Sequence, residues 1–362
     1  MAPSGALPAL PGPSACLAFH QAVPFLPPRV DERLLRHPDL IRFLGPNAYD
    51  LLRQNHENHA KFMDNVFFLG APALLRRTLP WVYRTYGARG VSPDYFPVEL
   101  EAWKGAVAER IPGAEAEAIH RVYDWMIEIH PAIVQEAKEG PVDPAPDAGP
   151  LLESFVLALV TGDRVGSEAI ATQALGAEGA LETLYLDLLD PALRRIGNLW
   201  EAGRITTAQE HMASALATRL MAQAFARLDY GARPGRRALV AASPNEHHQI
   251  GAWMLSDLLE VRGWNTRFMG ADTPQEALLD AVRAFRPHLV ALSVTMAFNL
   301  RRTAELIQAV RGLDLAPAPR ILVGGQIFQW EPGLAESLGA DGGASDARSG
   351  CLMAESWVEG RP

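Results

Sequence analysis

A carboxylate, two imidazoles and a glycine stand together in Glu246-His247-His248-Gln249-Ile250-Gly251. Further along come Ser293-Val294-Thr295 and the pair Gly324-Gly325. A neutral imidazole can ligate a transition metal, and glycines let a ligand approach the backbone closely. Each cluster follows a short apolar run, at 238–242, 289–293 and 320–323. Runs at 264–268 and around 340–344 complete the series, and helical patterns at 252–261, 276–285 and 301–311 lie between them. Buried-type strands alternating with helices predict a parallel α/β sheet with right-handed crossovers. Ligands of such a sheet bind outside the carboxyl ends of its strands, so all three clusters converge on one rim. Gly-x-Gly-x-x-Gly is absent after the first strand, which excludes a nicotinamide reading.

The elements upstream divide at proline and glycine. Residues 1–30 hold seven prolines (Pro3, Pro8, Pro11, Pro13, Pro24, Pro27, Pro28) and one charge, Arg29, and read as an arm without regular structure, apolar enough to pack against something. Residues 31–139 read as helical, with Pro80, Pro93 and Pro97 as punctuation and Pro131 as a kink or restart. Residues 140–150, with four prolines, form a semi-rigid linker. Residues 151–232 read as a four-helix bundle: 151–160, 166–175, 181–200 bent at Pro191, and 207–228 opened by a capping box, Thr207-Ala-Gln-Glu210. The α/β domain spans 236–347, and 348–362 is a tail.

Composition narrows the class. The 362 residues are 48% hydrophobic and 21% charged, an ordinary globular balance. Net charge is −9, from 33 basic and 42 acidic residues, which argues against gripping nucleic acid through phosphates. Cys16 and Cys351 stand at opposite ends, so no disulfide framework or cysteine zinc site can be drawn. No apolar run approaches a membrane span, and residues 1–30 make a poor signal peptide. The expectation is a cytoplasmic protein with no membrane contact.

The three clusters, in order and spacing, resemble the signature of cobalamin-binding Rossmann-like domains. The resemblance implies His248 as lower axial cobalt ligand, replacing the nucleotide base. Glu246, in place of the commoner aspartate, accepts the other imidazole N–H and sets the tautomer. Gly251 leaves room for the nucleotide tail, and Ser293, Thr295, Gly324 and Gly325 line its channel. In the bundle, Trp200 followed after nine residues by Glu210-His211 resembles the cap of cobalamin-dependent photoreceptors of the CarH type. There the tryptophan packs against the adenosyl group on the upper face, and the histidine takes the upper axial position once light breaks the cobalt–carbon bond. By themselves, Trp200, Glu210 and His211 equally suit bundle core and helix cap.

With Asn55-His-Glu-Asn-His59, Trp81-Val-Tyr-Arg-Thr-Tyr-Gly87, Trp103 and Tyr123-Asp-Trp-Met-Ile-Glu-Ile-His130-Pro131, residues 31–139 resemble instead the globin-like module of photocobilins, photoreceptors that pair cobalamin with biliverdin. A bilin needs a flat apolar slot, stacking aromatics, a hydrogen bond for pyrrole nitrogens and cations for two propionates. The stock is His59, Trp81, Tyr83, Arg84, Tyr86, Arg89, Trp103, Tyr123, Trp125 and His130, and Cys16 offers a covalent attachment point. The implied protein is a sensor, not an enzyme. It binds adenosylcobalamin and biliverdin, forms a light-dependent homo-oligomer, signals to a downstream protein and makes no direct contact with DNA. The alternative is a corrinoid subunit of a methyltransferase system, carrying methylcobalamin.

Overall fold

A computed structural model describes residues 7–45, 47, 49–140, 149–176, 181–228, 235–330 and 333–359. It falls into two compact units: Met1–Pro144 with Glu201–Arg204, and Ala145–Trp200 with Ile205–Pro362. Most of the expected linker, 141–148, lies outside the described residues.

The first unit is all-α: α1 (Pro13–Ala22), α2 (Leu26–Leu34), α3 (Leu40–Leu44), α4 (Tyr49–Leu69), α5 (Pro72–Gly87), α6 (Tyr95–Arg110), α7 (Gly113–Glu128) and α8 (His130–Lys138). Residues 13–22 and 26–30 of the proline-rich arm are therefore helical, contrary to expectation, and residues 1–6 of it lie outside the described residues. Of its prolines, Pro13, Pro27 and Pro28 fall in the first turns of α1 and α2, where a missing N–H costs little. Ala15, Phe19, Ala22, Leu26, Val30 and Leu34 then turn into the same core as α4 to α8. Pro131 restarts the chain as α8, whereas Pro80 sits inside α5 without ending it.

In the second unit α9 (Pro150–Thr161), α10 (Arg164–Leu175), α11 (Asp190–Glu201, whose last residue belongs to the first unit) and α12 (Thr207–Phe225) build the bundle. A π-helical turn, Thr183–Leu189, leads into α11. Pro191 cannot donate to the preceding turn, and the widened ladder accommodates it. The capping box lies one residue earlier than expected. Thr206 accepts from the Gln209 N–H, and the Gln209 side chain returns to the Thr206 N–H. That leaves the Thr207 hydroxyl to accept from Trp200 Nε1 at 3.2 Å.

The sheet is parallel throughout, in the order β2-β1-β3-β4-β5. Its strands are β1 (Arg237–Ala242), β2 (Asn265–Phe268), β3 (Leu289–Ser293), β4 (Arg320–Gly324) and β5 (Gly342–Ala344). The order reverses between β1 and β3, where α/β sheets open a ligand crevice. Helices α13 (Ile250–Val261), α14 (Gln275–Phe285), α15 (Leu300–Arg311), α16 (Ile327–Trp330) and α17 (Leu334–Ser337) follow the strands. The expected tail is instead α18 (Ala347–Glu359), packed on α13, with Cys351 buried and its thiol pushed up to about 12 by burial. Trp264, expected within a strand, is buried one residue before β2.

Bundle and sheet share one apolar core, in which Phe155, Leu184 and Met221 pack with Val240, Leu258 and Trp264. A buried polar link crosses it: the Tyr185 hydroxyl donates to Asp257 on α13 at 2.6 Å. Burial raises the Asp257 carboxyl from 3.8 to about 6, against the donors Tyr185 and Trp253. The stability this group contributes is fully present below about pH 4 and is lost as pH rises through about 6, a change of about 3 kcal/mol. Asp257→Asn is expected to flatten that part of the pH profile, read from urea midpoints between about pH 4 and about pH 7.

Candidate functional site

The loop from Ser243 to Gln249 leaves the carboxyl end of β1 at the point where strand order reverses. Glu246 is fully buried within it. Its Oε1 receives the His248 Nδ1–H at 2.6 Å and the His248 backbone N–H at 3.1 Å. Its Oε2 receives the N–H groups of Thr295 and Met296, both at 2.9 Å, and Asn299 Nδ2 at 3.2 Å. Burial alone would raise this carboxyl. The bonds from His248, Met296 and the backbone outweigh burial and hold it down to about 2. Glu246 is therefore an anion, and it raises the His248 imidazole above its ordinary range, with Glu210 of the bundle adding to the effect.

The imidazole itself is exposed, 60% of its side chain reaching solvent. With Nδ1 committed to Glu246, Nε2 is the atom left to bind a metal. This orientation by a carboxylate is the usual arrangement behind a metal-ligating histidine. His247 is exposed, and no bond from it enters this network. A Cβ added at Gly251 meets nothing within 4 Å, so the helix start beside His248 borders open space. One exposed imidazole, braced from behind and bordered by a glycine that faces space, fits an axial ligand to a large planar metal complex.

The remaining rim residues have distinct roles. Gly325 has φ +120°, and a Cβ there would lie 2.0 Å from the Val294 carbonyl oxygen. Gly324 pairs with Ser293 and Ala344 in the sheet register. Thr295 acts through its backbone N–H on Glu246. In the bundle, the Glu210 carboxylate binds His211 Nδ1 at 2.8 Å and the Ser214 hydroxyl at 2.8 Å. The His211 side chain is 75% exposed. Trp200 is half-buried.

The aromatic residues of the first unit form a band instead of one cluster. His59 lies on Trp103 at 4.7 Å, Trp103 is nearly parallel to Tyr123 at 6.4 Å, and His59 Nε2 meets the Tyr123 hydroxyl at 3.3 Å. Tyr83 stacks on Phe96 at 3.7 Å and meets His130 Nδ1 at 3.0 Å. Tyr86 and Tyr95 border Phe96. Trp81 Nε1 donates to Glu201 at 2.7 Å, Arg84 lies 4.0 Å from Glu201, and Arg89 donates to the Thr85 carbonyl. Trp125 packs against the edge of this core, as does Cys16, whose thiol donates to the Pro11 carbonyl.

Sequence reasoning missed the polar centre of this band. His56, fully buried, joins Asp31 at 2.7 Å to the Tyr95 hydroxyl at 2.8 Å, with Glu99 at 3.7 Å. Burial raises Glu99 and, with His56, lowers His59 to about 3, leaving a neutral imidazole among flat rings. The spacing of His56 from His59 and of Glu99 from Trp103, one helical turn each, was the signal available.

Comparison with known proteins bears on these sites. A B12 binding domain model matches residues 236–351, and a second B12 binding domain model matches residues 151–224. The HTH-type transcriptional repressor CarA of Myxococcus xanthus is 34% identical over 219 residues, 58% of this chain and 71% of CarA. The HTH-type transcriptional repressor CarH of the same organism is 30% identical over 165 residues, 45% of this chain and 52% of CarH. The monomethylamine corrinoid protein of Methanosarcina barkeri superposes with a TM-score of 0.50 at 18% identity, over 57% of this chain and 98% of that one. That likeness concerns the fold alone.

The expectation of no direct contact with DNA does not stand, because both relatives are HTH-type transcriptional repressors. A net charge averaged over the whole chain does not bound the charge on one helix face. Among the described residues no helix is long and apolar enough to cross a membrane. With two B12 binding domains and this degree of likeness to CarA, the chain belongs to the CarA/CarH family.

Proposed function

We propose that this chain is a light sensor that binds adenosylcobalamin between the bundle and the carboxyl ends of the strands, and that its helical module holds biliverdin. The observation that carries the reading is the pair of braced imidazoles in one unit. His248 is held by Glu246 on the sheet and His211 by Glu210 on the bundle, and the Glu210 charge reaches His248. His248 would hold the group from the sheet side, and Trp200 and His211 would meet it from the bundle side. Ser293, Thr295, Gly324 and Gly325 border the tail channel, and Gly251 leaves it open. Adenosylcobalamin supplies a cobalt–carbon bond that light breaks. His211, exposed and oriented through Nδ1, would offer Nε2 to the bound group, and a change there would be felt where the bundle packs on the α/β layer. A sensor of this kind is not an enzyme.

For biliverdin, the support is the neutral His59 on Trp103 and Tyr123, the band continuing through Tyr83, Tyr86 and His130, and Trp81, Trp125 and Arg84 at its margins.

Purified protein given adenosylcobalamin and biliverdin in the dark is expected to bind both, with a long-wavelength bilin band. Green light is expected to change the cobalamin spectrum, and His211→Ala to alter the spectrum of the illuminated product. Absence of any light-driven change overturns the sensor reading. Absence of the long-wavelength band overturns the bilin part alone.

A further inference from the structure

The cobalt ligand proposed above is braced by Glu246, and the geometry raises the question of what holds Glu246 itself. Two backbone N–H groups, of Thr295 and Met296, fix the position of Oε2. Oε1 is held only by residue 248, the very group that Glu246 has to position, and the last torsion of a glutamate is broad, so the turn of the carboxylate needs a further donor from outside the loop. The remaining donor to Oε2 is Asn299, whose side chain is fully buried.

Asn299 is placed for this by several bonds. It stands at the N-terminal end of α15, and its carbonyl accepts from Thr303, whose hydroxyl in turn meets Ser243 at 2.7 Å. Its Oδ1 accepts from Asn245 Nδ2 at 2.9 Å, and its Nδ2 donates to the Asn245 carbonyl at 3.1 Å as well as to Glu246. The reverse amide orientation would set Oδ1 against a carbonyl and a carboxylate at once, so the bonding pattern fixes which end is which. Asn245 is left-handed, with φ 66°, and its N–H is held by Asp272 at 2.6 Å. One buried amide therefore holds both the unusual backbone immediately before Glu246 and the carboxylate of Glu246.

We infer that Asn299 is a positioning residue of the cobalamin site: it sets the carboxylate plane of Glu246 so that Oε1 faces His248 Nδ1 and His248 Nε2 is turned outward to the metal. The inference rests on the reading of His248 as axial ligand. It also accounts for glutamate at this position. The longer side chain reaches across the loop to the 295–296 N–H pair and Asn299, and an aspartate, shorter by one methylene, would have to give up either these donors or His248.

The test is a double-mutant cycle of Asn299→Leu and Glu246→Gln, with His248→Ala as reference. Each protein is loaded with cob(II)alamin and examined by electron paramagnetic resonance. Labelling the histidines with the heavy nitrogen isotope turns the axial nitrogen triplet into a doublet, which separates protein ligation from that of the nucleotide base. Affinity is measured in parallel by titration, and folding by thermal melting without cofactor. Wild type is expected to give the doublet. Asn299→Leu is expected to fold but to melt below wild type, since it leaves buried partners unpaired, to bind about tenfold more weakly and to lose doublet intensity. The double variant is expected to be no worse than Glu246→Gln alone, because Asn299 acts through Glu246. If Asn299→Leu does not fold, Asn299→Ala enters the same cycle.

Wild-type doublet and affinity in the Asn299 variant, or losses that add in the double variant, overturn the inference and leave the His248 reading standing. A wild-type protein without the doublet, or with one that His248→Ala retains, overturns the His248 reading and the inference with it.

Discussion

Replacing His248 with alanine is expected to lower cobalamin affinity on the order of 100-fold, about 3 kcal/mol, and to remove protein nitrogen from the cobalt. The imidazole is the one side chain of the β1 loop that combines exposure with a carboxylate brace. On the proposed reading its loss would delete a metal–ligand bond, and Glu246 Oε1 would keep the backbone N–H of residue 248 alone. Stability without cofactor is expected to fall as well, because the fully buried Glu246 carboxylate loses the imidazole that holds it ionised. Titration followed by absorbance, together with melting of the cofactor-free protein, separates the two effects. Undiminished affinity would mean that the ligand is held by other groups.

The second large effect falls on stability. Gly325→Ala is expected to cost about 3 kcal/mol or more, a fall of roughly 6–12 °C in Tm for a unit of this size. At φ +120° a side chain is strained whatever the space around it, and here the added Cβ would lie 2.0 Å from a carbonyl oxygen of the adjacent β3 segment. Backbone atoms of a buried sheet cannot step aside as the end of a flexible side chain can. Gly324→Ala is the control: its Cβ would stand 3.4 Å from the Ala344 carbonyl oxygen, so the cost is expected to stay well below that at 325. Denaturant unfolding of the two variants side by side checks the contrast. Equal stabilities would refute the steric argument.

Much of the sheet was legible because buried parallel strands read as continuous apolar runs, and the residues that end them mark the ligand rim. Glu246 and His248 were legible for a different reason: the bond between them is local, two residues apart in the chain. Asn299 was not legible. Its partners are Glu246 and Asn245, more than fifty residues away, and an asparagine at a helix start usually has a capping duty of its own. The proline-rich arm misled because prolines in a helix's first turn and prolines in an irregular segment look alike until the buried face appears. Capping at Thr206 instead of Thr207 was ambiguous, since each threonine is followed at the right distance by a residue able to complete the box. The His56 centre escaped because its four members come from three helices, and no single stretch of sequence displays it.

The π turn before Pro191 has a mechanical consequence. A π turn is a helix carrying one residue more than its α-helical path requires. Taking that residue out of the ladder, or moving the bulge along it, rotates everything downstream by about 100° about the helix axis and shifts it by about 1.5 Å. Trp200 lies downstream on α11. Its bearing is thus set by the winding of the helix behind it, as a key is turned by its shaft. Ala192 and Ile196 of the same helix are buried in the core shared by bundle and sheet, so a rotation that moves the tryptophan must also repack that core.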